Sequence, residues 1–322
     1  MKILVTYPAT SEQLEAFANC SDGAEICVVP QSDITQAHVE DADVIIGNIP
    51  PSMVNSAKKL KFLQLTSSGA DSYVSCMRDG LQIAVTSGAY GLAISEHMLG
   101  MYLMLLKKLN LYRDNQHKSL WHDEGNVNSI EDAVVLTVGI GSIGGDFARK
   151  CKLLGAHTIG IRRNINDKPD YIDELYTLHE LAEVAKRADC IALALPGGKT
   201  TERVLNKKII DSLKHGVIVL NVGRGSAIDT EALTDAVERG DVLCGLDVTD
   251  PEPLPESHRL WKQVNAVITP HISGFFHLRQ TLERIGEVSR ENLSRYIRDE
   301  QLLNLLDAET GYRRTEGRYN EF

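Results

Sequence analysis

Short apolar, β-branched runs alternate with longer amphipathic runs over the first part of the chain, up to about residue 97. Such runs are typical of buried parallel strands, and the segments between them are typical of helices that cover both faces of the sheet. The pattern predicts helices at Ser11–Asn19 and Ser52–Lys58. It predicts strands at Ile3–Val5, Glu25–Val29, Val44–Ile46, Phe62–Leu65 and Ile83–Val85.

A second α/β series begins at Ala133, after residues 98 to about 130, which are predicted to be mostly helical. Its later strands are predicted at Cys190–Leu195, Val217–Leu220, Val242–Leu246 and Ala266–Ile268. Doubly wound sheets of this kind bind ligands where their strands end. An amphipathic helix is predicted from about Leu278 to Leu306, and the polar tail from Gly311 to Phe322 is expected to pack on the surface or fray.

A glycine pattern of the form G-x-G-x-x-G follows the Ala133–Val138 run and reads Gly139-Ile140-Gly141-Ser142-Ile143-Gly144. Gly139 can make the tight turn, Gly141 leaves no side chain between the backbone and a ligand, and Gly144 lets the following helix lie close to its strand. A pyrophosphate would bind at the N-terminus of that helix, where free N–H groups and the helix dipole favour an anion. A second predicted strand ends about twenty residues later, which is the context that the dinucleotide-binding pattern requires.

Two arginines, Arg162 and Arg163, stand at the end of that second strand, where an NAD site usually has an acidic residue for the ribose hydroxyls. Guanidinium groups suit a 2′-phosphate, so the sequence favours NADP over NAD as the cofactor. The alternative is that one or both arginines are solvated surface charges.

Composition narrows the classes of function. The chain has 322 residues, which favours two domains, and a net charge of −10, which argues against a nucleic-acid surface and against an acidic membrane. Six scattered cysteines without C-x-x-C spacing indicate buried thiols in a reducing compartment. The N-terminus has no signal-peptide layout, and the longest apolar run, near residues 98–106, is too short to span a bilayer. We therefore expect a cytoplasmic protein, and no metal site is predicted.

Three predicted strand ends each supply one ionisable side chain: Arg224 between two glycines, Glu252 in a proline-rich loop, and His271 after Thr-Pro. Taken singly, each could be a surface charge or a turn residue. Together they would project from the sheet edge that carries the glycine loop, and they suit hydride transfer to a 2-keto acid. His271 can donate a proton to the carbonyl oxygen, Glu252 can stabilise the imidazolium, and Arg224 can hold the substrate carboxylate.

Two further features have weaker signals. The loop that contains Ser68 and Gly69 follows a predicted strand, and its backbone N–H groups could bind the other oxygen of a carboxylate; an ordinary strand-to-helix turn explains it equally well. Glu96 and His97 lie in the first part of a long helix and are expected to cap or pair within the structure rather than to perform chemistry.

Four ordered motifs make the chain resemble the D-isomer-specific 2-hydroxyacid dehydrogenases along nearly all its length. They are Val138–Gly144, Leu220–Gly225, Gly245–Val248 with Glu252-Pro253-Leu254 following, and Thr269–Gly274. The resemblance implies an α/β fold with two doubly wound parallel-sheet domains. A Rossmann cofactor domain, residues 98–277, would be inserted into a flavodoxin-like substrate domain formed by residues 1–97 and 278–322.

The resemblance also implies roles for individual residues and a homodimer formed through the cofactor domain. Arg224, Glu252 and His271 would be the catalytic arginine, acid and histidine, and Arg224 and His271 would bind substrate together with Ser68 and Gly69. The cofactor contacts that it implies beyond the glycine loop and the two arginines are Pro196, Thr201, Val222, Gly223, Asp247 and Gly274. The implied substrates are small 2-keto acids and (R)-2-hydroxy acids.

Two departures from the family pattern matter. Arg162 replaces the usual acid, which resembles the NADPH-using glyoxylate and hydroxypyruvate reductases, and Gly91 stands where many members have a threonine. Glu252 speaks against the formate dehydrogenases, which have glutamine there. Two alternatives are a nucleotide-sensing corepressor on the same fold and another dehydrogenase chemistry, such as phosphoglycerate oxidation.

Overall fold

The computed structural model describes residues 1–308 and 311–314. The chain forms two compact units. The N-terminal unit comprises Met1–Tyr90 and the chain from Phe276 onward, and the central unit comprises Gly91–Phe275. The sequence placed these divisions at residues 97/98 and 277/278. In the structure the first division lies earlier, between Tyr90 and Gly91, because one helix runs without a break from Gly91 to Leu106.

The N-terminal unit is built on a parallel sheet of five strands in the order β2-β1-β3-β4-β5. This is the order of the flavodoxin-like doubly wound fold. Its apolar core includes Leu4, Ile45, Leu63 and Ile83, one from each of four strands. The strands are β1 (Lys2–Val5), β2 (Glu25–Val28), β3 (Val44–Ile46), β4 (Phe62–Gln64) and β5 (Gln82–Ala84). The helices between them are α1 (Ser11–Cys20), α2 (Gln36–Glu40) and α3 (Pro51–Ser56).

The central unit has a parallel sheet in the order β12-β11-β10-β9-β6-β7-β8. The strand order reverses between β6 and β9, which is the position where doubly wound sheets open a ligand crevice. The predicted α/β fold with two doubly wound parallel sheets is confirmed. The strands are β6 (Val134–Val138), β7 (His157–Ile161), β8 (Glu174–Tyr176), β9 (Cys190–Leu193), β10 (Val217–Asn221), β11 (Val242–Leu246) and β12 (Ala266–Ile268).

The central unit also contains helices on and around this sheet. They are α4 (Gly91–Leu106), α5 (Leu109–His117), α6 (Ser142–Leu153), α7 (Leu181–Val184), α8 (Lys207–Ile210) and α9 (Thr230–Glu238). The prediction of mostly helical structure to about residue 130 is wrong after His117. Ser119 has a positive φ of 54°, which ends the helical path, and Asn115 Nδ2 then donates to Glu124 Oε1 at 2.6 Å and holds the chain as an irregular arm.

The last helix, α10 (Arg279–Ile297), returns the chain to the N-terminal unit and packs against α1. The prediction extended this helix to Leu306. It ends at Ile297 because Asp299 adopts a left-handed φ of 57°, and the Asn292 side chain then binds the returning chain through both N–H and C=O of Leu303. The predicted polar tail lies for the most part outside the described residues. Among the described residues, no helix is both long and apolar enough to cross a membrane.

Candidate active site

The strand ends of the central sheet share one edge. Their last residues form a continuous row of cross-strand partners in the order Ile161, Val138, Leu193, Asn221, Leu246 and Ile268. Adjacent strands lie about 4.8 Å apart, so the loops that follow them emerge side by side. The register therefore places the loops of the central unit that carry predicted site residues, from Arg162 at one end to His271 at the other, along a single rim.

The glycine loop after β6 contains two glycines that the fold itself requires. A Cβ on Gly144 would lie 2.1 Å from the carbonyl oxygen of Gly139, and Gly139 has a φ of +94° and lies against the backbone of Ala194. Gly141 differs, because a Cβ there would meet nothing within 4 Å, and its φ of −79° suits any L-residue. The space over Gly141 is left open at the N-terminus of α6, and this fits a dinucleotide whose pyrophosphate approaches the backbone there.

The two arginines follow β7 at the same rim. The backbone N–H of Arg162 donates to the Tyr176 carbonyl at 3.1 Å, so the position is fixed by the neighbouring strand, and its Nε donates to the carbonyl of Asn164. Arg162 is half-buried and Arg163 is exposed. A guanidinium group at this point could bind a phosphate on the adenosine side of a cofactor that lies on the glycine loop.

The loop after β9 contributes Pro196 and Thr201. Thr201 Oγ1 donates to the Pro196 carbonyl at 2.8 Å, which closes this loop on itself. Val222 and Gly223 follow β10 next to it. The N–H of Val222 donates to Leu193 O at 3.1 Å, and a Cβ on Gly223 would lie 2.5 Å from the carbonyl oxygen of Leu195. These two loops are therefore in backbone contact beside the glycine loop.

A tight turn after β10 carries Arg224. The Asn221 side chain shapes it from both sides, because Oδ1 accepts the N–H of Gly223 at 3.1 Å and Nδ2 donates to the carbonyl of Arg224 at 2.9 Å. Gly225 is required for packing, since a Cβ there would lie 2.0 Å from the carbonyl carbon and oxygen of Thr249. The turn that bears Arg224 thus abuts the loop that leads to Glu252. Arg224 itself is half-buried.

Glu252 and His271 are in direct contact. His271 Nδ1 lies 2.7 Å from Glu252 Oε1, and the two side chains are 48% and 43% exposed, so the pair faces solvent at the rim. His271 has a φ of +51°, which is uncommon for a residue with a side chain. A left-handed conformation at this point must be held by the residues around it.

Asp247 supplies that support. Its side chain is fully buried and accepts hydrogen bonds from Thr269 Oγ1 at 2.6 Å, from Ile272 N at 2.9 Å, and from the N–H and hydroxyl of Ser273. Its own carbonyl accepts the N–H of His271 at 2.8 Å. Burial opposes ionisation, but the hydrogen bonds from Ser273, Thr269 and two backbone N–H groups outweigh it and lower the pKa of Asp247.

This arrangement gives Asp247 a definite task in the fold, which is to hold residues 269–273. The cofactor contact that the resemblance implied for Asp247 stays a prediction. Gly274, another implied cofactor contact, follows this anchored segment directly. Ser68 and Gly69 belong to the N-terminal unit, in the loop after β4, where the Ser68 hydroxyl lies 3.3 Å from the carbonyl of Thr86.

Sequence reasoning gave no specific role at the site to three side chains that shape it: Asn221, Thr269 and His97, of which His97 was expected only to cap or pair within the structure. Asn221 had a usable signal, since an asparagine side chain at a strand end often bonds to the backbone two residues on, here to the N–H of Gly223. Thr269 was recognised only as part of a motif. His97 had no local signal, because its partner, Thr269, is 172 residues away in sequence and Nε2 lies 3.1 Å from Thr269 Oγ1.

The fold and the rim define a dinucleotide-binding α/β protein with an arginine and a His–Glu pair on adjacent loops. Residues 99–273 match the family model described as "D-isomer specific 2-hydroxyacid dehydrogenase, NAD binding domain". The chain therefore belongs to the D-isomer-specific 2-hydroxyacid dehydrogenase family, as the sequence motifs predicted. It is an NAD(P)-dependent oxidoreductase of the 2-hydroxyacid dehydrogenase type.

Individual proteins resemble the chain over most of its length. An uncharacterised protein of Corynebacterium melassecola is 30% identical over 85% of this chain and 91% of its own length. The crystal structure of a family protein from Aeromonas salmonicida matches with a TM-score of 0.84 and 27% identity, covering 95% of this chain and 99% of that one. An NADPH-dependent glyoxylate/hydroxypyruvate reductase from Sinorhizobium meliloti shares the fold, with a TM-score of 0.80, 22% identity, and coverage of 97% and 99%.

Proposed function

We propose that this protein is an NADPH-preferring reductase of small 2-keto acids, in which His271 is the acid, Glu252 its partner and Arg224 the substrate-binding arginine. The observation that supports this most directly is the 2.7 Å contact between His271 Nδ1 and Glu252 Oε1 on the rim that also carries the glycine loop. The pair is accessible at the strand ends, where ligands of doubly wound sheets bind.

The contact orients the imidazole ring. A carboxylate only accepts hydrogen bonds, so the nitrogen that faces Glu252 carries a proton, and Nε2 is left to exchange a proton with the substrate oxygen. The nicotinamide of the bound cofactor would supply the hydride, since side chains cannot. His271 would then donate its Nε2 proton to the carbonyl oxygen as the alcohol forms, and Glu252 would stabilise the imidazolium before that transfer.

Arg224 would bind the substrate carboxylate. Its planar guanidinium can pair with both oxygens of a carboxylate, and the Asn221 and Gly225 contacts fix the backbone of its turn. A neighbouring positive charge would also stabilise negative charge that develops on the ketone oxygen. Ser68 and Gly69 are proposed as further carboxylate contacts on the strength of the family motif alone.

The preference for NADPH rests on Arg162. This residue stands at the end of β7, where an acidic side chain would bind the ribose hydroxyls in an NAD enzyme. A half-buried guanidinium at a backbone position fixed by β8 suits a 2′-phosphate better than a free hydroxyl. The remaining cofactor contacts proposed are those of the glycine loop and the adjacent loops, together with Arg163.

The test is a turnover screen of purified protein with NADPH and with NADH over glyoxylate, hydroxypyruvate, pyruvate, phenylpyruvate and branched 2-keto acids, with chiral analysis of the products. The proposal expects cofactor oxidation with at least one small 2-keto acid, an R product where the product is chiral, and a higher kcat/KM with NADPH. A nucleotide-sensing protein would bind the dinucleotide and reduce none of these acids, which would refute the proposed activity.

We also infer a cytoplasmic homodimer. All six cysteines are free thiols, which fits a reducing compartment. The irregular arm after α5 exposes Trp121 completely, with Leu120 and Val127 about half exposed, and exposed apolar clusters of this kind mark association surfaces. Light scattering should give about twice the chain mass of 35.5 kDa, and a Trp121→Ser variant should shift the protein toward the monomer. A wild-type monomer at micromolar concentration would contradict the dimer.

A further inference from the structure

Two groups hold the segment that carries His271. The Asp247 carboxylate accepts hydrogen bonds from Thr269 and Ile272, and His97 of helix α4 contacts the Thr269 hydroxyl. His97, in the second turn of α4, places Nε2 at 3.1 Å from Thr269 Oγ1 and at 3.9 Å from Asp247 Oδ1. The His97 side chain is 24% exposed and that of Asp247 is fully buried, so this cluster lies beneath the rim rather than on it. His97 is therefore linked to the histidine segment without contacting His271.

The direction of each hydrogen bond can be deduced. The Thr269 hydroxyl has one proton, and it lies 2.6 Å from Asp247 Oδ1, an oxygen of a group whose lowered pKa keeps it ionised and accepting only. Thr269 must therefore donate to Asp247 and accept from His97. This requires a proton on Nε2 of His97 and makes the three side chains a directed chain of hydrogen bonds.

These hydrogen bonds hold the backbone next to His271, which has a strained conformation. His271 has a φ of +51°, and it is flanked by Thr269, which bonds to the Asp247 carboxylate through its hydroxyl, and by Ile272, which bonds to the same carboxylate oxygen through its N–H. A non-glycine residue keeps a left-handed conformation only where its surroundings hold it. The position of the His271 ring relative to Glu252 thus depends on how firmly Thr269 and Asp247 hold the segment.

We propose that His97 is a positioning residue for the reaction: by donating from Nε2 to Thr269, it fixes the Thr269–Asp247 anchor that keeps His271 in contact with Glu252. The inference rests on the proposed role of His271 as the acid. His97 would thus contribute to the reaction from helix α4, which carries none of the proposed catalytic groups. Small losses of alignment at a reacting group reduce turnover strongly, even when the altered residue does not touch the substrate.

The test compares His97→Leu, which removes the donor, with His97→Gln, whose amide can donate at a similar position. Ser95→Ala is the matched control, because Ser95 lies on the same helix and its hydroxyl contacts neither Thr269 nor Asp247; it accepts from Lys150 Nζ at 2.8 Å and donates to the Leu92 carbonyl at 3.1 Å. We expect His97→Leu to lower kcat about 10- to 100-fold with an unchanged KM for NADPH, and His97→Gln to recover most of that loss. Ser95→Ala should keep the wild-type kcat.

A double variant separates a directed link from general damage to the helix. Since His97 acts through Thr269, His97→Leu in a Thr269→Val background should lower kcat by less than about twofold further. A full additional loss in the double variant would overturn the proposed route. Wild-type kcat in folded His97→Leu would overturn the positioning role itself.

A measurement without substrate separates this inference from the proposed function. In protein labelled with 15N-histidine, with the His271 signals assigned by their absence in His271→Gln, the Nδ1 shift of His271 should change in His97→Leu and stay as in the wild type in His97→Gln and Ser95→Ala. An unchanged His271 signal in His97→Leu refutes the coupling. If the wild type reduces no 2-keto acid, the proposed function fails, and the NMR comparison still decides whether His97 holds His271.

Discussion

Two glycines of the same loop should respond in opposite ways to the same substitution. In Gly141→Ala the added methyl meets no protein atom within 4 Å and the backbone has an ordinary φ, so the free energy of unfolding should be unchanged or rise by about 0.4–1 kcal/mol. In Gly144→Ala the methyl would lie 2.1 Å from the Gly139 carbonyl oxygen, a backbone atom that cannot move aside without opening the turn. Overpacking of this kind costs about 1–3 kcal/mol.

The same reasoning predicts the effect on cofactor binding. If the space above Gly141 is where the pyrophosphate meets the backbone, a methyl group there forces the cofactor away from the N–H groups of helix α6. A misfit of about 1–3 kcal/mol corresponds to an affinity for NADPH that is lower by about 5- to 150-fold. Gly141→Ala should therefore be a stable protein that binds its cofactor poorly.

Calorimetric titration with NADPH and thermal unfolding of the two variants would test this. Gly141→Ala should keep the wild-type Tm and lose affinity, whereas Gly144→Ala should lose roughly 2–12 °C in Tm, as expected for a unit of this size. Wild-type affinity in Gly141→Ala would show that the pyrophosphate does not lie over this residue. An equal loss of Tm in both variants would show that the open space at Gly141 is filled in solution.

Three further predictions concern other parts of the central unit. Arg162→Ala should lower the ratio of kcat/KM for NADPH to kcat/KM for NADH by about 10- to 150-fold, because one or two hydrogen bonds to a charged group would be lost. An unchanged ratio would show that Arg162 does not recognise the phosphate. Gly225→Ala, which would drive a methyl into the Thr249 carbonyl, should reduce both Tm and kcat, and wild-type values for both would contradict the packing described here. A hydrogen bond from Arg187 is the main cause that lowers the pKa of Glu174 from 4.5 to about 2, so the folded state binds fewer protons than the unfolded state in this range. The contribution of Glu174 to the free energy of unfolding is fully present above about pH 4.5 and is lost as the pH falls toward 2. In urea unfolding, the stability of Glu174→Gln should therefore depend less on pH between these limits than that of the wild type. An identical pH dependence would contradict the lowered pKa of Glu174.

Every strand except β8 was predictable to within about two residues, because each is a short apolar run between polar segments, as is typical of a buried parallel strand. Strand β8, Glu174–Tyr176, was not predicted, because its three residues are only partly buried and do not form an apolar run. The glycine loop was equally readable, since the spacing of Gly139, Gly141 and Gly144 reflects local backbone requirements. The motif assigned Gly139 to the turn, Gly144 to the helix contact and Gly141 to the ligand side, but it did not indicate how severely a Cβ would clash at each position. That severity depends on which backbone atoms lie opposite each glycine.

Helix ends were predicted less well. Helices α5 and α10 end at positive φ values of Ser119 and Asp299. Serine gives no sequence signal for this conformation, and aspartate gives only a weak one. Tertiary contacts fix these ends, such as the bonds between Asn292 and Leu303. The link from His97 to Thr269 was out of reach for the same reason, because it joins two segments far apart in the chain.

The most direct test of the central claim is a single-turnover measurement of NADPH oxidation by wild-type protein and by His271→Ala, with the best 2-keto acid from the screen. The rate should fall by about 10²–10⁴-fold in the variant, the range for loss of a general acid, while the Kd for NADPH stays unchanged. Oxidation of NADPH by His271→Ala at a rate close to that of the wild type would contradict the assignment of His271 as the acid.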